Sequence, residues 1–210
     1  QKVSEIKIDK QLIVVDDFSS DGSREKILSF KDRIDKIILH EKNLGKGAAI
    51  KSAKEFINGK YVIIQDADLE YDPNDYEKLI EPLKKKETKA VYGSRVLGKK
   101  RYNLKNFSSL SRVFFNHCLT ILSNIINNQN LTDAHTCYKV FDTEVFNKLN
   151  LEEKRFGFCP EVTTKISKLG YQISEIPIAY QGRNYEEGKK IRVIDGFDAI
   201  KCLIKYKFIN

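Results

Sequence analysis

The chain has 210 residues, of which 41% are hydrophobic and 31% charged. That composition is globular, sized for one large domain or two small ones, and no apolar run reaches the roughly 18 residues a membrane-spanning helix needs. The net charge of +8 favours anionic partners such as nucleotides, phosphates or acidic lipid, while the absence of a nucleic-acid-binding motif excludes DNA and RNA as expected partners.

The chain starts at Gln1, contains no Met and shows no signal-peptide pattern. A processed or incomplete version of a longer chain is therefore expected. Cys118, Cys137, Cys159 and Cys202 show no CxxC pairing or His/Cys metal spacing. They read as free thiols of a reducing, cytoplasmic compartment.

The first half alternates. Gln11–Asp16 (QLIVVD) predicts a buried strand, Ser23–Arg33 a helix and Lys36–His40 (KIILH) a second strand. Lys46–Ile57 reads as a helix, Tyr61–Gln65 as a third strand, Asn74–Lys84 as a helix and Ala90–Gly93 as a fourth strand. Such alternation predicts an α/β fold, a mostly parallel sheet flanked by helices. Further on, Ser108–Asn127 predicts a long helix, Thr132–Phe141 runs from polar to apolar, Pro160–Leu169 is helical and Tyr171–Tyr180 is an alternating strand. Gly182–Lys190 is a charged loop, and Asp195–Phe208 a basic amphipathic helix. No linker interrupts the chain. One α/β domain is expected over residues 1–180, with 181–210 as an appended loop and helix.

Two acidic clusters sit where predicted strands end. Asp16 and Asp17 follow LIVV, and Asp66 and Asp68 follow YVII. Acids packed together repel one another unless a cation or several donors offset them. In open α/β sheets, ligands bind beyond the C-terminal strand ends. Asp66, Asp68 and Glu70 are spaced by two, which places them on one face of an extended segment and suits a hard cation such as Mg²⁺ or Mn²⁺. Asp72 and Asp75 flank Pro73 and read as an ordinary helix start. Ser20 or Asp21 can cap the helix after Asp17, while Asp17 itself can accept from a nucleobase. In NLGKGAAI (Asn43–Ile50), Gly45, Lys46 and Gly47 read as a tight turn and helix start, or as a phosphate or base site.

Taken in order, IVVDDFSSDGS, NLGKGAAI, IIQDADLEYDP and YGSR resemble the successive landmarks of the family 2 glycosyltransferases of the GT-A fold. NLTDAHTCYKVF, RFGFCPEVTTKISKLGY and YQGRNYEEGKKI resemble the branch that transfers sugars to dolichyl or polyprenyl phosphate. The resemblance extends over nearly the whole chain from Gln11. The family normally opens with an IPxYNE-like strand that touches the nucleotide. Nothing similar precedes Gln11, so that strand is expected to be missing here. Glu70 stands where related mannosyltransferases often carry Gln.

The resemblance implies a metal-dependent, inverting transfer of mannose or glucose from a GDP- or UDP-sugar to polyprenyl phosphate. Asp17, beside Asp16, would read the base, and Lys46 would join the donor site. Asp66 and Asp68, with Glu70 as a further ligand, would hold Mg²⁺ or Mn²⁺ on the diphosphate. Arg95, Lys139 and Arg183 would steer the acceptor phosphate or clamp the diphosphate, with Lys190 or Lys189 joining from the charged loop. Asp133 and Glu161 are the remaining motif carboxylates. With a hydroxyl acceptor, such as a cell-envelope glycan, one of them would be the general base; with a phosphate acceptor they would orient cations or sugar. His135 reads as incidental. A catalytically silent sugar-nucleotide-binding protein is the alternative from another class. The last helix carries Lys201, Lys205 and Lys207 beside Phe197, Ile200, Leu203, Ile204 and Phe208. It suits peripheral contact with the anionic cytoplasmic membrane face, or packing against the domain or a second copy.

Overall fold

The computed structural model describes residues 2–98, 110–182 and 193–209. Strand β1 (Ile13–Asp16) pairs in parallel with β2 (Lys36–Leu39). A second sheet takes β3 (Tyr61–Ile63), β4 (Ala90–Ser94), β5 (Lys139–Asp142) and β6 (Ser174–Pro177) in the order β3-β5-β4-β6. β4 and β6 run parallel, and β5 is antiparallel to both of its neighbours. The α/β architecture holds, with β5 inserted against the prevailing direction.

The helices are α1 (Lys2–Glu5), α2 (Ser23–Ser29), α3 (Lys46–Lys54), α4 (Tyr76–Lys84), α5 (Leu110–Asn127), α6 (Thr143–Lys148), α7 (Phe158–Lys168) and α8 (Val193–Ile204). A π-helical turn, Lys205–Ile209, continues α8. Before α4, Asp72 accepts from Asn74 N and Pro73 opens a 3-10 turn, the ordinary helix start its sequence suggests. α3 stops short of Ile57 because Gln11 takes over the backbone there. Its amide donates to Phe56 O at 2.8 Å and its Oε1 accepts from Asn58 N at 2.9 Å.

Successive residues of a strand face opposite sides, and the second sheet buries both. Ala90 and Tyr92 of β4 join Phe141, Phe146, Phe158 and Val162 on one side. Val91 joins Tyr71, Leu79, Tyr138 and Val140 on the other. β4 is buried at every position.

The first sheet is packed differently. Ile13, Val14 and Val15 are only partly buried. Among the described residues β1 pairs only with β2, and β3 only with β5. A cavity of about 3040 Å³ is lined by consecutive residues of both, Leu12 to Val15 and Tyr61 to Gln65. A cavity that touches consecutive residues of a strand meets its edge rather than one face. Asp17, Asp66 and Asp68 also line it, so the C-terminal ends of β1 and β3 open onto one cleft.

α5 packs on α7 and α8. Together these helices leave Phe114, Phe115, Ile125, Phe197, Phe208 and Ile209 exposed. Among the described residues no helix is long and apolar enough to cross a membrane.

Candidate active site

At the end of β1 the two aspartates do different things. Asp16 is 2% exposed. It pairs with Arg24 at 2.6 Å and accepts from Ser19 N, while Arg24 also donates to His40 O at 2.7 Å. Asp16 thus ties β1, α2 and β2 together behind the cleft. Asp17 lines the cleft. Its Oδ1 accepts from Leu44 N at 2.9 Å and from His40 Nδ1 at 2.8 Å, and its Oδ2 from Gly45 N at 2.7 Å. Burial pushes the Asp17 pKa up, but these donors outweigh it and the carboxyl is held below its ordinary value. An ionised carboxylate only accepts, so His40 Nδ1 donates to Asp17, while its Nε2 shares a hydrogen bond of 2.9 Å with Ser52 Oγ.

NLGKGAAI makes the turn that meets Asp17. Gly45 sits at φ +94, and a Cβ on Gly47 would lie 2.1 Å from Glu153 O. The first position needs glycine for its conformation, the second for the close approach of another backbone. Between them Lys46 reaches both oxygens of Asp66, at 2.6 and 2.7 Å. Asp17 and Asp66, at the ends of two strands, are therefore joined through one turn.

Asp66 and Asp68 follow β3 and line the cleft. Gln65 anchors this segment. Its Oε1 accepts from Tyr76 and Tyr138 hydroxyls at 2.9 and 2.6 Å, and its Nε2 donates to Asp66 O at 2.7 Å. Phe18 and Leu69, the residues right after Asp17 and Asp68, have φ of 65 and 61. Bulky residues hold that left-handed conformation only where the surroundings enforce it, and functional sites collect such positions. Glu70 is buried and accepts from the Tyr180 hydroxyl at 3.2 Å. Among the described residues no group of three or more metal-ligating side chains converges. Asp66, whose oxygens both lie on Lys46 here, and Asp68 are the carboxylates right after β3 that line the cleft, with Glu70 turned to Tyr180. One or two carboxylates, completed by phosphate oxygens and water, is the donor set Mg²⁺ normally takes.

Deeper in the cleft Arg95, just after β4, forms a two-pronged pair with Asp133, Nε to Oδ2 at 2.7 Å and Nη2 to Oδ1 at 2.7 Å. Burial raises the Asp133 pKa, and the Arg95 guanidinium overrides it and holds the carboxyl below its usual value. Arg95 lies 5.2 Å from the Tyr180 ring centroid, a cation–π contact. Behind the pair, Glu175 accepts from Thr132 N at 2.6 Å and Asp133 N at 2.9 Å. His135 lines the cleft, with its Nε2 buried and unpartnered. Burial, with Lys139 nearby, pushes its pKa down to about 4, so the ring is neutral.

Asp17, Lys46, Asp66, Asp68, Glu70, Arg95 and Asp133 thus share one cleft, whereas Asp16, Lys139 and Glu161 do not line it. Lys139 is wholly buried and donates to Ala134 O and Thr136 O at 3.0 and 2.7 Å. Burial lowers its pKa, and its ammonium lies 3.9 Å from the Tyr92 ring centroid. Glu161 is wholly buried too. Its oxygens accept from Glu152 N at 2.6 Å and Glu153 N at 3.0 Å, and Oε1 pairs with Lys165 at 2.8 Å. Arg183, Lys189 and Lys190 lie outside the described residues. Sequence reasoning missed Arg24, His40, Ser52, Gln65, Tyr180 and Glu175. His40 alone left a signal, a polar residue closing the apolar run KIIL.

The sequence model of glycosyl transferase family 2 matches residues 3–149. The chain belongs to that family. It is 29% identical over 205 residues to dolichyl-phosphate beta-glucosyltransferase ALG5A of Trichomonas vaginalis, covering 93% of this chain and 60% of that protein. It is 26% identical over 212 residues to the dolichyl-phosphate beta-glucosyltransferase of Saccharomyces cerevisiae, covering 92% and 63%. Identity is 27% over 176 residues to the UDP-N-acetylglucosamine–dolichyl-phosphate N-acetylglucosaminyltransferase of Methanococcus voltae, covering 81% and 68%. These are dolichyl-phosphate sugar transferases, the branch the second-half motifs resemble. The chain spans about 60% of the length of the two glucosyltransferases. Among solved structures, glucosyl-3-phosphoglycerate synthase of Mycobacterium tuberculosis superposes with a TM-score of 0.69 at 16% identity, covering 95% of this chain and 70% of that one. The same enzyme solved with Mg²⁺ and uridine diphosphate gives a TM-score of 0.67 at 17% identity, covering 95% and 69%. At these identities the likeness is one of fold, the GT-A fold.

Proposed function

We propose that the chain transfers a hexose, mannose or glucose, from a nucleotide sugar to a polyprenyl phosphate with inversion at the anomeric carbon. The observation that carries this reading is the state of the two carboxylates a hydroxyl acceptor would need as a base. Both Asp133 oxygens are taken by Arg95, and the buried Glu161 spends its oxygens on backbone amides and Lys165. A phosphate monoester is already anionic near neutral pH and needs no base to attack; it needs cations. The names of the curated relatives point the same way, to a dolichyl-phosphate acceptor.

In this reading Asp17 accepts from the base of the donor, and the turn around Lys46 sets where the base lies. Asp66 and Asp68 hold Mg²⁺ or Mn²⁺. When bound, the ion offsets the charge growing on the departing nucleoside diphosphate. Arg95, oriented by Asp133 and stacked on Tyr180, faces the incoming phosphate. Its oxygen bonds to the anomeric carbon as the bond to the diphosphate breaks. Lys139 serves from beneath by holding the carbonyls on either side of His135. Glu70 buttresses Tyr180. The exposed phenylalanines and isoleucines of α5 and α8, beside exposed Lys201, support contact with an anionic membrane surface where the lipid resides.

The test is a panel of UDP- and GDP-hexoses with polyprenyl phosphate and Mg²⁺ or Mn²⁺, following nucleoside-diphosphate release. Lipid-dependent release is expected with one donor. Asp68→Ala is expected to lower it about a thousandfold, the scale of several kcal/mol of lost charge stabilisation, with thermal stability little changed. Release that ignores the lipid would contradict the assignment.

A further inference from the structure

Glu153 touches two parts of the molecule that are far apart in sequence. Its Oε1 accepts the Tyr206 hydroxyl at 2.8 Å and Lys205 Nζ at 3.4 Å, both in the turn that ends the described chain. Its carbonyl oxygen presses on the first turn of α3, where a Cβ on Gly47 would meet it at 2.1 Å. The next carbonyl, Lys154 O, accepts from Ala48 N at 3.0 Å. That turn carries Lys46, and the residues before it give Asp17 two of its donors.

The segment is also fixed from behind. Glu161 holds the amides of Glu152 and Glu153, and Lys165 donates to Asn150 O. The contact at Gly47 is backbone against backbone. No rotamer can absorb a displacement there, and a close-packed contact passes it on.

We propose that residues 151–155 brace the turn at 44–48, and that Tyr206 is a positioning residue for the donor site, acting through Glu153. Glu161 serves the same brace from the α7 side. The brace stands on its own contacts; its consequence for the donor rests on the function proposed above.

The test compares Tyr206→Phe, which keeps the ring and removes the hydroxyl, with Glu153→Ala and with Glu153→Gln, which keeps an acceptor. Amide hydrogen exchange at Leu44–Ala48 is read against β4, and Kd is measured for UDP and GDP. Tyr206→Phe and Glu153→Ala are expected to speed exchange at Leu44–Ala48 about fivefold, the scale of one lost hydrogen bond, with β4 unchanged and Glu153→Gln close to wild type. Nucleotide Kd and donor KM rise by a similar factor, with kcat within about twofold. Unchanged exchange at Leu44–Ala48, or equal acceleration in β4, overturns the brace. Faster exchange with unchanged Kd overturns the positioning role of Tyr206. A wild-type protein that binds neither nucleotide refutes the donor reading, and the exchange result still decides the brace.

Discussion

The β1–β2 pair and the four-stranded sheet both lead into acids that line one cleft, yet they are built differently. β4 is buried at every position, whereas β1 buries only Asp16. The densely packed sheet sets Arg95 just past the end of β4, and Asp133, in the loop before β5, is held by Arg95 and Glu175. The lightly packed pair positions Asp17 by hydrogen bonds from a neighbouring turn and from His40. Where packing is thin, polar contacts between loops do the positioning. Asp17 therefore depends on His40 and on the turn at Leu44 and Gly45, while Arg95 rests on the end of a fully buried strand.

Three experiments test that contrast. Phe141→Ala, at a fully buried position in β5, should cost about 3–5 kcal/mol. Val14→Ala, half-buried in β1, should cost about 1 kcal/mol, because little is removed from a place already partly wet. Urea unfolding midpoints give both values, and equal losses would erase the distinction. Next in size is Arg95→Lys. An ammonium cannot reproduce the two-pronged pair with Asp133 or the stack on Tyr180. Transfer efficiency should fall about tenfold or more, with the loss in kcat/KM for the lipid rather than in donor binding. A loss confined to donor binding would overturn the acceptor-phosphate role proposed for Arg95.

The smallest effect is acid sensitivity. Asp16, Asp17 and Asp133 are each pushed up by burial and pulled further down by their donors, to pKa values below the ordinary 3.8. The unfolded chain therefore takes up protons first on acidification. The stabilisation these groups give is complete above about pH 5 and is lost as pH falls through their folded values. Asp17→Asn should lower Tm at neutral pH and shrink the fall between about pH 5 and pH 2. A Tm–pH curve unchanged by that substitution would mean the Asp17 network does not stabilise the first sheet.

Much of this was legible in the sequence. Asp17 of LIVVDD and Asp66 and Asp68 of YVIIQDAD line one cleft, and the Asp72–Asp75 stretch is a helix start, because local pattern and strand polarity suffice for both. Other features depend on contacts between distant segments, which local pattern does not encode. KVFD becomes an antiparallel strand between β3 and β4. Lys139, which as a residue type reads as a surface cation, is enclosed because Ala134 and Thr136 turn their carbonyls towards it. Glu161 sits in a motif that suggests chemistry, but its partners are the amides of a loop that precedes it. Gly47 reads as part of a turn, and its demand for close backbone approach appears only once the Glu153 segment is in place.

The proposed transfer turns on a phosphate acceptor that needs no protein base. The most direct measurement pairs polyprenyl phosphate with the corresponding polyprenol, at equal concentration, with the active donor and Mg²⁺ or Mn²⁺, and follows lipid-linked sugar. Product is expected from the phosphate and none above background from the alcohol. Product from the alcohol at a comparable rate would contradict that transfer and return the role of general base to the carboxylates of the cleft.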